Sequence, residues 1–318
     1  MQILLRKSCN FDLDMIPSCQ NLEGVLVAKT VNQGFQELRQ RLEITDLQAT
    51  DMAERQQRVR EAVKKGLLVV DDFLTGSYMR NTMIAPLKEA DIDIFIVLDG
   101  SLFDEYKPAS LLDKVKNILN QSYRETTDIS RAGQAVTISF HDFKVDVVPA
   151  FPRKLLFLDN GYRIADTLSG QWLPTNPKEH IQIWSKANKK HNGNLIPLIK
   201  MIKCWNRENG SLLHSFHLEC LILKILEDRT IPGYPSAVKL IFDKARSIVR
   251  YPVSDPAGYN SNVGAYLKIQ GKKDEVVSQF ELAYRRAKNA EEWVRQGNIE
   301  DAYYYWWKIF GDYFPAYG

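Results

Sequence analysis

Two aspartates one residue apart, Asp91 and Asp93, sit in "DIDIFIVL", the most strand-like run of the chain, although aspartate is depleted from strands. Side chains alternate along a strand, so Asp91, Asp93 and Phe95 share one face while Ile92, Ile94 and Ile96 share the other. One face is core; the other carries two carboxylates about 6.5 to 7 Å apart, which repel and resist ionising together. A divalent cation removes that cost. Asp146 in "FKVDVVPAF" is the third member, projecting from the face opposite Phe143, Val145 and Val147. On a neighbouring strand it completes a set of three hard oxygen ligands suited to Mg²⁺, with Mn²⁺ able to substitute. Two such ions about 3.5 to 4 Å apart can activate an attacking hydroxyl and neutralise a leaving pyrophosphate, which is nucleotidyl-transfer chemistry.

Upstream, "FLTGSYMRNT" adds a Gly76-Ser77 pair. Glycine lets backbone approach a phosphate closely, serine and the adjacent N–H groups supply donors, and a helix beginning near Ser77 would add its positive end. Alone, Gly-Ser is an ordinary turn; its weight comes from the company of the three aspartates.

The elements that must position these residues are legible in outline. Phe35, Leu38 and Leu42, then Met52, Val59 and Val63, mark two helices, with Thr45 and Gln48 at capping-box spacing and Gly66 as a stop. From Leu67 to Phe151 the chain is strand-like in "LLVVDDFL", "DIDIFIVL" and "AVTISFHDFKVDVVPAF", with one amphipathic helix around "SLLDKVKNILNQSY". From about Pro174 five helical stretches follow. An α+β half thus precedes an all-helical half, divided near residues 172 and 173, and "LSGQWLPTNP" reads as a turn-rich junction too short to let them drift apart. A cleft between the two is expected.

At 318 residues with 45% hydrophobic and 25% charged, the chain is long enough for two such halves. The opening "MQILLRKSCNFDLD" is too short in apolar residues for a signal or a membrane span, which reads as cytoplasmic with no membrane partner. Cys9, Cys19, Cys204 and Cys220 form no CxxC pair, so free thiols are expected. A net charge of +3 is too slight to announce a stable nucleic-acid partner, and the basic runs "KANKKH", "KMIKCWNR" and "KIQGKK" read by themselves as solvated faces.

"GSYMRNT", "DIDIF", "VDVVPAF", "LIKMIKCWN", "SFHLE", "DPAGYNSNV" and the closing "DAYYYWWKIFGDYFP" together resemble the cGAS/DncV-like group (CD-NTases) of the polymerase-β-type nucleotidyltransferase superfamily, from about Phe35 to the end. The resemblance implies a polymerase-β-like core packed on a C-terminal helical domain. It makes Asp91, Asp93 and Asp146 the two-metal Mg²⁺ site, with Asp146 closest to activating the acceptor hydroxyl, and Gly76 and Ser77 the donor-phosphate loop. Lys203 resembles the lysine that meets the donor triphosphate and Ser215 the serine that follows it; without the resemblance, Lys203 reads as a solvated helix lysine. The implied activity is synthesis of a cyclic di- or trinucleotide second messenger from ATP, GTP, UTP or CTP in bacterial antiphage defence (CBASS). The resemblance also implies a separate effector that recognises the product and, since some relatives have their C-terminal residue conjugated to targets by a ubiquitin-transfer-like partner, a conjugation or regulatory partner at Gly318.

Asp255 and Asn262 read as caps or braces for the helix that follows, and Glu219 equally as an orienting group across the cleft or a helix-surface residue. His214, His217, Cys220 and Cys204 are zinc-type ligands, but i and i+6 lie too far round a helix to converge, so the cysteines read as small core residues. The aromatic run "YYYWWKIFGDYF" could stack bases, yet its helical spacing favours packing against the N-terminal helices. Two other functions fit the motifs: a template-independent enzyme adding nucleotides to RNA ends (CCA-adding or poly(A)-polymerase-like), whose chains are longer, and a catalytically silent nucleic-acid sensor, disfavoured by the intact aspartates.

Overall fold

A computed structural model describes residues 30–124, 128–155 and 158–318. The opening segment, Cys9 and Cys19 lie outside the described residues.

The chain runs α1 (Val31–Arg41), α2 (Asp46–Lys64), β1 (Val69–Thr75), a single turn α3 (Gly76–Met79), β2 (Asp91–Leu98), α4 (Pro108–Ser122), β3 (Asp128–Ala132), β4 (Ala135–Ser139), β5 (Lys144–Leu155), β6 (Leu158–Asp166) and β7 (Gln171–Thr175). Helices α5 (Pro177–Lys190), α6 (Leu195–Glu208), α7 (Ser215–Leu226), α8 (Tyr234–Ile248), α9 (Gln270–Arg295) and α10 (Ile299–Phe310) complete it. The expected mixed sheet flanked by helices, followed by a helical bundle, is the observed α+β architecture. The capping box forms as read: the Gln48 backbone N–H donates to Thr45 Oγ1, and the Thr45 N–H to Gln48 Oε1.

The sheet has the order β1-β2-β5-β4-β3, with β6 and β7 continuing from the far end of β5. Among the described residues only β2 and β5 pair in parallel. Strands β3, β6 and β7 were not foreseen, and β7 corrects the junction: "QWLPT" is a strand, not a turn. Its side chains are only half-buried, so the alternation that marks a strand is weak there.

One face of the sheet packs Ile92, Ile94, Ile96, Phe143, Val145 and Val147 against α2 and α4. The other face is polar at the aspartates but apolar further along β2, where Phe95 and Val97 meet Ala150, Ile164, Phe73 and Tyr162. A separate core fills the helical half, and α1 belongs to it: Phe35, Leu38 and Leu42 lie with Trp205, Phe242 and Trp306. The two N-terminal helices therefore part company, α2 going to the sheet and α1 to the bundle.

The C-terminal aromatics do pack against α1. Phe35 makes edge-on contacts with Trp306, Phe310 and Phe314, with ring centres 4.8 to 5.9 Å apart. Among the described residues no helix is long and apolar enough to cross a membrane. Truncating the fully buried Phe35 to alanine is expected to cost about 3–5 kcal/mol, read as a lowered midpoint in urea unfolding.

Candidate active site

The parallel register of β2 and β5 sets Asp93 directly opposite Asp146, and Asp91 opposite Lys144. Thr75 of β1 pairs with Asp93, and Thr137 of β4 with Asp146, so one row across four strands reads Thr75, Asp93, Asp146, Thr137. Adjacent strands stand about 4.8 Å apart, so the two carboxylates crowd one spot. The Thr137 hydroxyl donates to Asp146 Oδ1 at 2.6 Å and fixes that side chain. Thr75, Asp91, Asp93, Lys144 and Asp146 floor a cleft of about 840 Å³ whose opposite wall is the helical half, including Lys203, Ser215 and Phe216. All seven residues singled out from the sequence line it: Gly76, Ser77, Asp91, Asp93, Asp146, Lys203 and Ser215.

Burial, then the charge of Asp146, pushes the Asp93 carboxyl up to about 7; Arg80 and Lys203 oppose the rise and Asp91 adds to it. Asp91 is raised by burial and by Asp146, against Lys144. Burial also raises Asp146, against the Thr137 hydrogen bond. Among the described residues no three His, Cys, Asp or Glu side chains are gathered tightly enough to hold a metal ion as they stand. The donor set nonetheless fits a hard cation: three carboxylates on one face, each made to resist ionisation chiefly by burial, which a bound cation would offset.

Gly76 is required where it stands. Its φ of +63° is left-handed, and a Cβ there would fall 1.6 Å from Asp93 Oδ2. The helix after it is one turn long, too short to offer the positive end expected of it. Donors at this loop are therefore local N–H groups and the Ser77 hydroxyl.

Sequence reasoning missed what holds the loop. Arg80 and Thr82, in the same "GSYMRNT", and Glu219 of α7 are all buried. Glu219 accepts from Arg80 Nε at 2.9 Å and Nη2 at 3.4 Å, from the Thr82 hydroxyl at 2.9 Å, and from Lys203 Nζ at 3.3 Å. It is thus an orienting group across the cleft and not a helix-surface residue. Burial raises the Glu219 carboxyl, but Arg80 and Lys203 outweigh that and hold it down at about 2. Lys203 is no solvated lysine: its ammonium also donates to the Thr82 carbonyl at 2.9 Å, and burial lowers it against the pull of Glu219. Lys200, in the same basic run, is likewise buried and pairs with Glu43 at 2.6 Å. The only cue to this network was proximity to Gly-Ser and a glutamate in an apolar helix.

The zinc-type residues are engaged elsewhere. His214 stacks on Tyr266 at 3.7 Å, His217 Nδ1 meets the Tyr266 hydroxyl at 3.0 Å, and Cys204 and Cys220 are free and buried. Asp255 and Asn262 brace a loop, but neither caps α9, whose first turn follows Ile269. Asp255 accepts from His180 Nε2 at 2.9 Å and from the Ala257 N–H at 2.9 Å, and Asn262 from the Gly264 N–H at 3.0 Å.

The sequence profile of the Second Messenger Oligonucleotide or Dinucleotide Synthetase domain, SMODS, matches residues 29–188, which span β1 to β7 and the whole carboxylate floor. The chain belongs to this family. It is 28% identical over 312 residues to the cyclic AMP-AMP-AMP synthase of an Acinetobacter species, covering 90% of this chain and 86% of that relative. To the CBASS oligonucleotide cyclase CdnC of Escherichia coli it is 26% identical over 160 residues, covering 48% of this chain and 49% of CdnC. In fold it is similar to the Vibrio cholerae DncV cyclic AMP-GMP synthase, solved with the linear intermediate 5′ pppA(3′,5′)pG, with a TM-score of 0.75, 14% identity, and 91% of this chain and 97% of that one covered.

A glutamate whose folded pKa lies near 2, against about 4.5 unfolded, contributes stability that is full above pH 4.5 and is lost as pH falls towards 2. Glu219→Gln is accordingly expected to erase that acid limb in urea unfolding followed from pH 7 to pH 3. At pH 7 it should cost about 3–5 kcal/mol by leaving buried cations unpaired.

Proposed function

We propose that this SMODS protein joins nucleoside triphosphates into a cyclic di- or trinucleotide second messenger with release of pyrophosphate, and that the product serves bacterial antiphage defence. The observation that carries this reading is the register that seats Asp93 opposite Asp146 beneath a cleft faced by Lys203 and Ser215. In each round a ribose hydroxyl of one nucleotide attacks the α-phosphorus of another, the bond from that phosphorus to the bridging oxygen breaks, and pyrophosphate leaves. A last transfer between the ends of the linear product closes the ring.

Asp91, Asp93 and Asp146 would hold Mg²⁺, which when bound supplies hydroxyl activation and neutralises the leaving pyrophosphate. Asp146, oriented by Thr137, is the carboxylate placed to take up the proton of the acceptor hydroxyl. The Gly76–Ser77 loop receives the donor phosphates, with the Ser77 hydroxyl and loop N–H groups as donors. Lys203 and Ser215 meet the triphosphate from the helical wall. Because the Lys203 ammonium is already shared by Thr82 and Glu219, it approaches phosphate as an anchored charge and not a swinging one. The Acinetobacter relative is a cyclic AMP-AMP-AMP synthase, which makes ATP the first substrate to test.

Pure protein with labelled ATP, GTP, CTP and UTP and Mg²⁺ should yield a phosphatase-resistant oligonucleotide, identified by mass, and chelation should stop it. Asp93→Asn and Asp146→Asn should each abolish it; absence of product in every mixture under Mg²⁺ and Mn²⁺ overturns the reading. Gly76→Ala should lower the rate about 100-fold, the scale of a misplacement near 1 Å, because its Cβ displaces either the loop or Asp93.

A further inference from the structure

The mechanism above leaves one buried charged group at the cleft without a task. Arg80 follows the donor loop by three residues, is only 9% exposed, and belongs to the sheet half, yet its partners lie in the helical half. Its guanidinium donates twice to Glu219 of α7 and lies 5.3 Å from the ring centres of both Trp184 of α5 and Phe216 of α7. Those two rings stack on each other at 5.8 Å, so the side chain is held by charge on one side and by π-faces on the other. At its other end the Arg80 N–H donates to the Gly76 carbonyl at 3.2 Å, closing the single turn of α3. The next contacts run the same way: the Thr82 and Met83 N–H groups donate to the Ser77 carbonyl at 2.8 and 3.1 Å, and the Thr82 hydroxyl to Glu219.

Building on the synthetase reading above, we propose that Arg80 is a positioning residue for the donor triphosphate. Clamped by Glu219 and the Trp184–Phe216 pair, it fixes the Gly76–Ser77 turn against Asp93 and so sets the α-phosphorus in register with the carboxylates. Two of its five N–H donors are spent on Glu219, which anchors the guanidinium away from free movement in the cleft, and KM for ATP separates this role from a direct phosphate contact. The loop has little room for error, since Gly76 already lies as near Asp93 as a residue without a Cβ permits. A lysine at position 80 keeps the charge but lacks the planar fork that meets both Glu219 oxygens, and its compact ammonium does not spread charge over both rings as the guanidinium does.

The test is steady-state kinetics of Arg80→Lys with ATP and Mg²⁺, run well below the melting temperature of the variant. The expected result is a turnover number reduced tenfold or more with KM for ATP within threefold of wild type, because binding survives while alignment is lost. A smaller fall in turnover makes Arg80 purely structural, and a KM shift beyond threefold makes it a substrate contact; either overturns the proposal. If Arg80→Lys does not fold, Thr82→Val removes one hydroxyl of the same network at nearly constant volume. Its turnover should drop threefold or more with KM within threefold, and any other pattern overturns the assignment. A wild-type protein that forms no product is a separate outcome: it overturns the synthetase reading, and this assignment with it.

Discussion

Asp93 and Asp146 face each other across two parallel strands, and the repulsion between them is the cost around which the rest of the molecule is arranged. Two unit charges at about 5 Å repel by about 3 kcal/mol at an effective dielectric of about 20, and burial adds to that. A fold can carry such a pair only if the opposite face of the same strands contributes enough to offset it. Here that face is Ile92, Ile94 and Ile96 on one strand and Phe143, Val145 and Val147 on the other, nearly all fully buried. The alternation of a strand thus serves both needs at once: every second residue stabilises the sheet, and the residues between them hold the charges in register.

The same constraint governs the cations. A buried arginine and a buried lysine stand near enough to Asp93 to lower its pKa, and a cation there without a counterion of its own would pair with the aspartates and take the place of a metal. Glu219 prevents this. It offers both cations a fully buried carboxylate, and Thr82 adds a carbonyl for Lys203 and a hydroxyl for Glu219. The charges of Arg80 and Lys203 are therefore held against Glu219 instead of against Asp93 and Asp146. On the proposed reading, that arrangement leaves the carboxylates to a metal below and the Gly76–Ser77 loop to a polyphosphate above.

The carboxylate floor was legible because it depends on local alternation and on the type of a few residues. So were the long amphipathic helices, the capping box at Thr45 and the packing of the C-terminal aromatics on α1. What escaped were features decided by distant partners. Strands β3 and β7 are five residues each and largely exposed or half-buried, and the nine-residue β6 carries the polar and turn-forming Asp159, Asn160 and Gly161 near its start. No apolar rhythm therefore announces them, and only pairing within the sheet makes them strands. For Glu219 the sequence left an orienting role across the cleft and a surface position equally open, because glutamate is almost never fully buried unless paired and its partners lie 16 and 139 residues away. Lys203 was placed by resemblance, but its restraint by Thr82 and Glu219 was visible only once α6 and the loop were seen side by side.

How firmly the cleft is shaped follows from the path of the chain. The sheet half, from α2 to β7, is bracketed by α1 and α5, and both brackets contribute to the helical core, through Phe35 and Leu38 at one end and Trp184 at the other. The sheet is therefore tied to the bundle at its beginning and at its end. Separating the halves means exposing aromatic residues that are buried in that core, including Phe35, Trp306 and Trp184. At the centre of the cleft, beside the Gly76–Ser77 loop, Ile84 is buried in that same core. Arg80 and Thr82 on one side and Glu219 on the other add a polar tie at that centre, so the loop is held to the helical half by charge as well as by packing.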